Sequence, residues 1–281
     1  MRRNLLGMVL AVTLSCLAGI TAAAPATGDA LSLAVVPQFP ALDIHRAWTP
    51  LATALESAIG RPVQLKIYPS IPAFEEDFLA GKPDLVYLNP YHMAIAYRAR
   101  GYLPLLRDGA QQLSGILVVQ AGSPVTSVEQ LKGLAIAFPA PNAFGASLLI
   151  RALLTDQHRI GFQAIYVKTH SNAYRAVARG EMAAAGGIRS SLEREPEDLR
   201  ARLKVLYETP RYAAHPVAAH PRLGAEVRAS VVRAFMQLRA TGEGRLQLAA
   251  ILMAEPVAAD FQRDYGSLEK LGLERYVVRE H

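Results

Sequence analysis

Side chains able to hold a small solute gather where an apolar run stops and a helical pattern begins. In "AFPAPNAFGASLLI" (137–150), Pro139 and Pro141 force extended geometry on the residues before them and stiffen the turn. Asn142 then stands at an N-cap position. The main-chain N–H groups of Ala143, Phe144, Gly145 and Ala146 fall in the first helical turn, where no intrahelical acceptor exists. A helix N-terminus carries about half a positive charge, and amides converging there bind anions. A plainer reading fits the same residues: Asn142 caps its own helix and water meets the other donors.

Other candidates occupy equivalent places. Pro37-Gln38-Phe39-Pro40 follows a first apolar run and offers the Gln38 amide. "YLNPYH" follows another and concentrates Asn89, Tyr91 and His92, although Asn-Pro is also a turn signal. "KTHSNAY" (168–174) brings His170 to a further helix start, with Ser171 as the expected cap. In open α/β sheets ligands sit beyond the carboxyl ends of strands, where these loops would lie. Catalytic patterns do not emerge: there is no G-x-S-x-G elbow, H-E-x-x-H helix, P-loop or G-x-G-x-x-G turn. Ser147 with His170 is the one pairing a hydrolase could use. The histidines show no metal-ligand spacing, and neither metal nor cofactor is expected.

The elements that must position these residues read as alternating strands and helices. Strand-like runs at 31–37, 63–69, 84–90 and about 101–107 alternate with helices, the first of which places Ala47, Leu51, Leu55 and Ile59 on one face. After about residue 112 the pattern restarts, with strands at 114–120, 134–139, 162–167, about 182–188 and 202–209. Ser127 and Gln130 form a capping box, residues 142–155 a helix, and 225–238 a helix with Val227, Val231, Phe235 and Leu238 in a stripe. The two α/β series predict two lobes, each a doubly wound parallel sheet covered on both faces.

Residues 1–24 read as a secretory signal: Arg2 and Arg3, an apolar run from Leu5 to about Ile20, and Ala22 and Ala24 before the cleavage point. Cys16, the only cysteine, lies within it, so the exported chain has none. "TLSC" would make it a lipoprotein site, but Thr13 stands where leucine is preferred. The full chain carries +6, and loss of Arg2 and Arg3 leaves 28 basic against 24 acidic residues. With no basic block and an export signal, nucleic acid is not an expected partner.

In order along the chain, "LDIHRAWTPLATALESAIGRPV", "PDLVYLNPYHMAIA", "GILVVQAGSPVTSVEQLKGLAIAFPAPNAFGAS" and "HSNAYRAVARGE" resemble the phosphate, phosphite and phosphonate-binding family of periplasmic substrate-binding proteins. The resemblance runs from about residue 30 to 240. It implies the type II periplasmic binding fold, with lobe one at 29–112 plus 214–281, lobe two at 113–213, and a two-strand hinge through 112–117 and 212–217. It also implies a small, anionic ligand in the cleft, held by His170 and the turn at Asn142, Ala143, Phe144 and Gly145, to which the loop readings above add Gln38, Asn89, Tyr91 and His92. The implied partner is an ABC transporter permease; a membrane sensor kinase is the alternative. The sequence departs from the family in its side-chain donors. Asn142, Ala143 and Phe144 stand where a Ser-Thr-Ser type run is usual, Met93 and Ile71 where tyrosines are usual, and Ala183 near an acidic position. Those departures predict weaker phosphonate binding and a smaller, less charged ligand.

Overall fold

The computed structural model describes residues 29–278. Residues 1–24, read above as an export signal that contains Cys16, lie outside them. β1 (Leu31–Val35) leads through Pro40 into α1 (Ala41–Ile59), which ends on Gly60 in the left-handed conformation. The buried face of α1 is Ile44, Trp48, Leu51, Ala52 and Leu55, which keeps Leu51 and Leu55 of the expected stripe, while Ala47 and Ile59 are partly buried against the same core. Pro50 sits inside this helix. β2 (Val63–Ile67) precedes α2 (Ile71–Leu79), whose Ser70 cap accepts from the Ala73 amide and whose Pro72 suits a first turn lacking acceptors. β3 (Leu85–Tyr87), α3 (Pro90–Arg100) and β4 (Leu103–Asp108) complete this series.

The chain then crosses through a short strand, β5 (Gln112–Leu113). β6 (Gly115–Gln120), β7 (Ala135–Phe138), β8 (Gln163–Tyr166), β9 (Ala184–Ile188) and β10 (Leu203–Glu208) form a second sheet. Its helices include α4 (Leu149–Ala152), α5 (His170–Ala178), α6 (Arg189–Glu193) and α7 (Glu197–Ala201). The chain returns through β11 (Tyr212–Ala213) to β12 (Pro216–Ala219), α8 (Ala225–Ala240) and β13 (Pro256–Ala258).

The strand order is β13-β4-β12-β3-β1-β2 in one sheet and β10-β6-β9-β7-β8 in the other, with β5 and β11 paired antiparallel between them. The two-lobed type II periplasmic binding fold is therefore present, but the sheets are mixed rather than wholly parallel. β1 runs parallel to β2 and β3, whereas β12, arriving from the other half, runs antiparallel to β3 with Val217 opposite Tyr87. β6 enters the second sheet against β9 in the same opposed sense. Reversal is forced on each strand that follows a crossing, because the crossing strand enters from the edge facing the other half.

The helix expected over 142–155 is built differently. It opens as a π-helical turn, Phe144–Leu148, continues through α4, and closes as a second π turn, Leu153–Gln157. Residues from this segment, including Ala143, Phe144, Leu148 and Leu149, share one hydrophobic core with the six-stranded sheet. The chain's last described stretch also bridges the halves. After β13, 3-10 turns at Gly266–Leu271 and Leu273–Tyr276 carry it to the 144–157 segment. There Arg151 Nη2 donates to the Tyr276 carbonyl at 2.7 Å, and Asp156 accepts from Arg275 and Tyr276.

Candidate functional site

The carboxyl ends of β1 and β3 in one sheet and of β7 and β9 in the other converge on a narrow cavity of about 20 Å³. From the first sheet come Val36 and Gln38, Ile71 at the start of α2, Asn89 before α3, and His215 before β12. From the second come Ala143 to Ala146, His170 and Ile188, and Leu113 closes the hinge side. The room suits a single water molecule. On the side of Gln38 it adjoins a wider cleft of about 400 Å³ between α1, the start of α5 and the stretch from Ser191 to Pro196 at and after the end of α6. There the Arg194 guanidinium lies 5.1 Å from the Phe39 ring centre, joining the two halves at the cleft.

Of the nine residues expected at the ligand, six meet in this cavity: Gln38, Asn89, Ala143, Phe144, Gly145 and His170. Main-chain bonding supports the role given to the turn. The amides of Ser147 and Leu148 both donate to the Ala143 carbonyl, whereas those of Phe144, Gly145 and Ala146 have no acceptor among the described residues. The unpaired stretch ends where the Ser147 amide, four residues on, reaches the Ala143 carbonyl, and the π turn follows from the Leu148 amide sharing that oxygen. The turn sits close to its sheet because of two glycines. A Cβ on Gly115 would collide with the Gly145 carbonyl, and one on Gly186 with the Ala146 carbonyl.

Three expected residues are elsewhere. Asn142 neither caps the helix, where Ala143 takes the cap position, nor lines the cavity. Its amide donates to Glu75 Oε2 (2.9 Å) and to the Val278 carbonyl (3.0 Å), while its oxygen accepts from the Val278 amide (3.1 Å). It clamps the end of the chain to α2. His92 is fully buried among Phe74 and Phe78, with Nε2 2.9 Å from Glu75 Oε1. Tyr91 lies with Asn142 along a larger groove of about 990 Å³ between α2, α3 and the tail. That groove is a weaker candidate, since the Glu75 and Asn142 side chains in it already bond to each other. Met93 is also packed in the core, so it cannot touch a solute in the cavity.

Helix starts supply the remaining polar groups. Asn89 caps α3 by accepting from the His92 amide at 2.8 Å, so the Asn-Pro signal is a cap as well as a wall of the cavity. α5 is capped by Thr169, which accepts from the Asn172 amide, and not by Ser171, whose hydroxyl donates to Glu195. His170 Nδ1 lies 3.0 Å from Ser191 Oγ on α6. Burial pushes the His170 imidazole down to about 4, and burial is also the first cause that takes His215 down to about 3. Both rings are therefore neutral near pH 7. The Ser147 hydroxyl is fully buried and meets Arg151 Nε at 3.4 Å, not His170, so the hydrolase pairing is not formed. Among the described residues no group of three or more His, Cys, Asp or Glu side chains could hold a metal ion.

His215 lines the cavity although it follows no strand of either large sheet. β12 is antiparallel, so its beginning, not its end, lies beside the carboxyl ends of β1 and β3. Strand direction is not written in a short apolar run, so no local signal pointed to this residue.

This architecture, two sheets closing on a polar cavity at a two-strand crossing, defines a substrate-binding protein of the periplasmic type. The family described as "ABC transporter, phosphonate, periplasmic substrate-binding protein" matches residues 33–265, and the chain belongs to it. The family's work is transport, which favours uptake over delivery to a membrane kinase. A binding-protein component of an ABC phosphonate transporter from Pseudomonas aeruginosa is 17% identical, with a TM-score of 0.78 over 88% of this chain and 87% of that one. PhnD1 from Prochlorococcus marinus, solved in complex with methylphosphonate, is 15% identical, with a TM-score of 0.78 over 89% and 99%. A Xanthomonas citri protein solved bound to chloride is 14% identical, with a TM-score of 0.74 over 88% and 98%.

Proposed function

We propose that this chain is exported to the periplasm and captures a small oxyanion or phosphonate-like solute between two lobes, residues 29–112 with 214–281 and residues 113–213. Its closed form is then presented to an ABC transporter permease. The observation that carries the reading is the cavity itself, in which unpaired amides of residues 144–146 meet Gln38, Asn89 and His215 of the other sheet. A solute touching both sides stabilises the closed state by contacts that the open state lacks. With room for only about a single water, a solute of several heavy atoms enters when the halves part and remodels the cavity on closing. The paired strands β5 and β11 are the natural flexing point.

Methylphosphonate, phosphite and phosphate are the probes to use. Binding at 100 times the dissociation constant stabilises the fold by about 2.7 kcal/mol, a shift readily seen in thermal unfolding. Calorimetry of the best probe with His170→Ala should then show at least a tenfold loss of affinity, the effect of about one hydrogen bond in a desolvated site. No thermal shift with any of the three would reject the ligand class. Unchanged affinity in the variant would remove His170 from the site.

A further inference from the structure

We propose that the cavity selects a solute that donates a hydrogen to it, taking the protonated monoanion of a phosphonate-type acid in preference to the dianion or to a sulfonate of the same shape, because His170 presents a bare Nε2 as an acceptor. The inference rests on the ligand class proposed above, and it extends that class to a protonation state.

The lining contains no Lys, Arg, Asp or Glu, so nothing in it compensates a second negative charge. Its donors are the main-chain amides of 144–146 and the side-chain amides of Gln38 and Asn89. The decisive feature is the hydrogen-bond cluster behind His170. Ser191 Oγ lies 2.8 Å from the Ile188 carbonyl, 2.7 Å from Tyr174 Oη and 3.0 Å from His170 Nδ1. Tyr174 Oη is also 3.1 Å from that carbonyl. Two hydroxyl hydrogens serve this group. A carbonyl can only accept, so one hydrogen goes to Ile188, from Ser191 or from Tyr174. The other must lie between the two hydroxyls, which are too close to face each other without one. Both assignments leave no hydroxyl hydrogen for His170, so Nδ1 must carry the proton in its bond to Ser191. A neutral ring holds one such hydrogen, and Nε2 is left with a lone pair. Nε2 has no partner among the described residues, and the ring lines the cavity.

The surroundings keep this arrangement. Strands β6, β7 and β9, against which α5 packs, carry no titratable side chain. On its own helix Tyr174 is held protonated by burial. Glu195, following α6, accepts from Ser171 beside His170. Glu197 and Asp198 of α7 face solvent, with Leu199 turned inward. Lys204 of β10 donates to the Ser123 carbonyl, and Glu208 accepts from Arg189. His215, across the cavity, is neutral like His170. An unprotonated oxygen of a dianion or sulfonate placed at Nε2 would set lone pair against lone pair, whereas a P–OH would donate. Ser191 and Tyr174 are positioning residues in this scheme.

The test uses the full exported chain. Long-range ¹H–¹⁵N spectra of the free protein near pH 7 should assign the His170 hydrogen to Nδ1. Calorimetry with methylphosphonate and with methanesulfonate at about pH 6 and about pH 9 should give an affinity for methylphosphonate that falls roughly tenfold per pH unit above the acid's own second pKa. Methanesulfonate at about pH 6 should bind at least tenfold more weakly. Ser191→Ala releases the tautomer and should narrow the phosphonate-to-sulfonate gap while leaving the unfolding transition cooperative. A hydrogen on Nε2, equal binding of the two acids, or affinity that does not fall with pH would overturn the proposal. If neither acid binds at any pH, the ligand class is rejected. The spectrum then still decides for or against the acceptor: a bare Nε2 sustains it for another hydrogen-donating solute, and a protonated one ends it.

Discussion

Asn142 shows how a residue's type can be read correctly and its role misjudged. Its amide is a good helix cap and a good ligand for an oxyanion, and the sequence placed it where both were available. The fold uses it instead to pair, in both directions, with the main chain of Val278 and to donate to Glu75. Those partners lie 136 and 67 positions away, and no local pattern reports contacts at that range. Asn142→Ala should therefore lower stability by about 1–3 kcal/mol, read from denaturant unfolding, and leave solute affinity within about twofold. A large loss of affinity with little loss of stability would return Asn142 to the site. The place of His170 beside the cavity, by contrast, was legible, because a helix start after a parallel strand lies at the carboxyl edge of its sheet. Its Ser191 and Tyr174 partners were not, since they come from the next turn of its helix and from α6, an element that sequence periodicity did not reveal.

At the scale of elements, the main strands of both sheets were visible as apolar runs, with ends moved by up to three residues, whereas β13 in the tail was not. Direction was not visible. Val-, Leu- and Ala-rich runs look alike whether parallel or antiparallel, so the run that became β6 was read into a parallel sheet. The π-helical opening at 144–148 was equally hidden, because periodicity over five residues cannot separate α from π. Its position depends on close backbone approach. The Gly145 and Ala146 carbonyls rest against Gly115 and Gly186, which leave no space for a side chain. Gly186→Ala should push the turn off the sheet and with it the amides of 144–146. We expect a loss of solute affinity of tenfold or more, alongside a stability cost of about 1–3 kcal/mol from overpacking. Calorimetry and unfolding on the same variant separate the two effects. Unaltered affinity would mean that the turn does not hold the solute.

For the molecule as a whole, two consequences of burial can be measured. His170 and His215 are neutral inside and would be protonated outside, so below the ordinary value of about 6.5 the unfolded chain binds protons that the folded chain refuses. Their contribution to stability is complete above about pH 6.5 and is lost as pH falls towards 4 and then 3, by up to about 1.4 kcal/mol per pH unit for each ring. Thermal unfolding from pH 7 to pH 4 should show this slope. His215→Asn should flatten it, and an identical slope in the variant would show that the ring is solvated. Small-angle scattering should also register a more compact particle when solute is added, as the two halves settle around it. The end of the chain bears on how such work is designed. Since Tyr276 and Val278 hold Arg151 and Asn142 on the other sheet's side, a label placed within 272–278 would disturb contacts between the two halves. A label beside β1 leaves those contacts alone, since the Asp29 carbonyl there accepts from Arg61 of the same sheet's series.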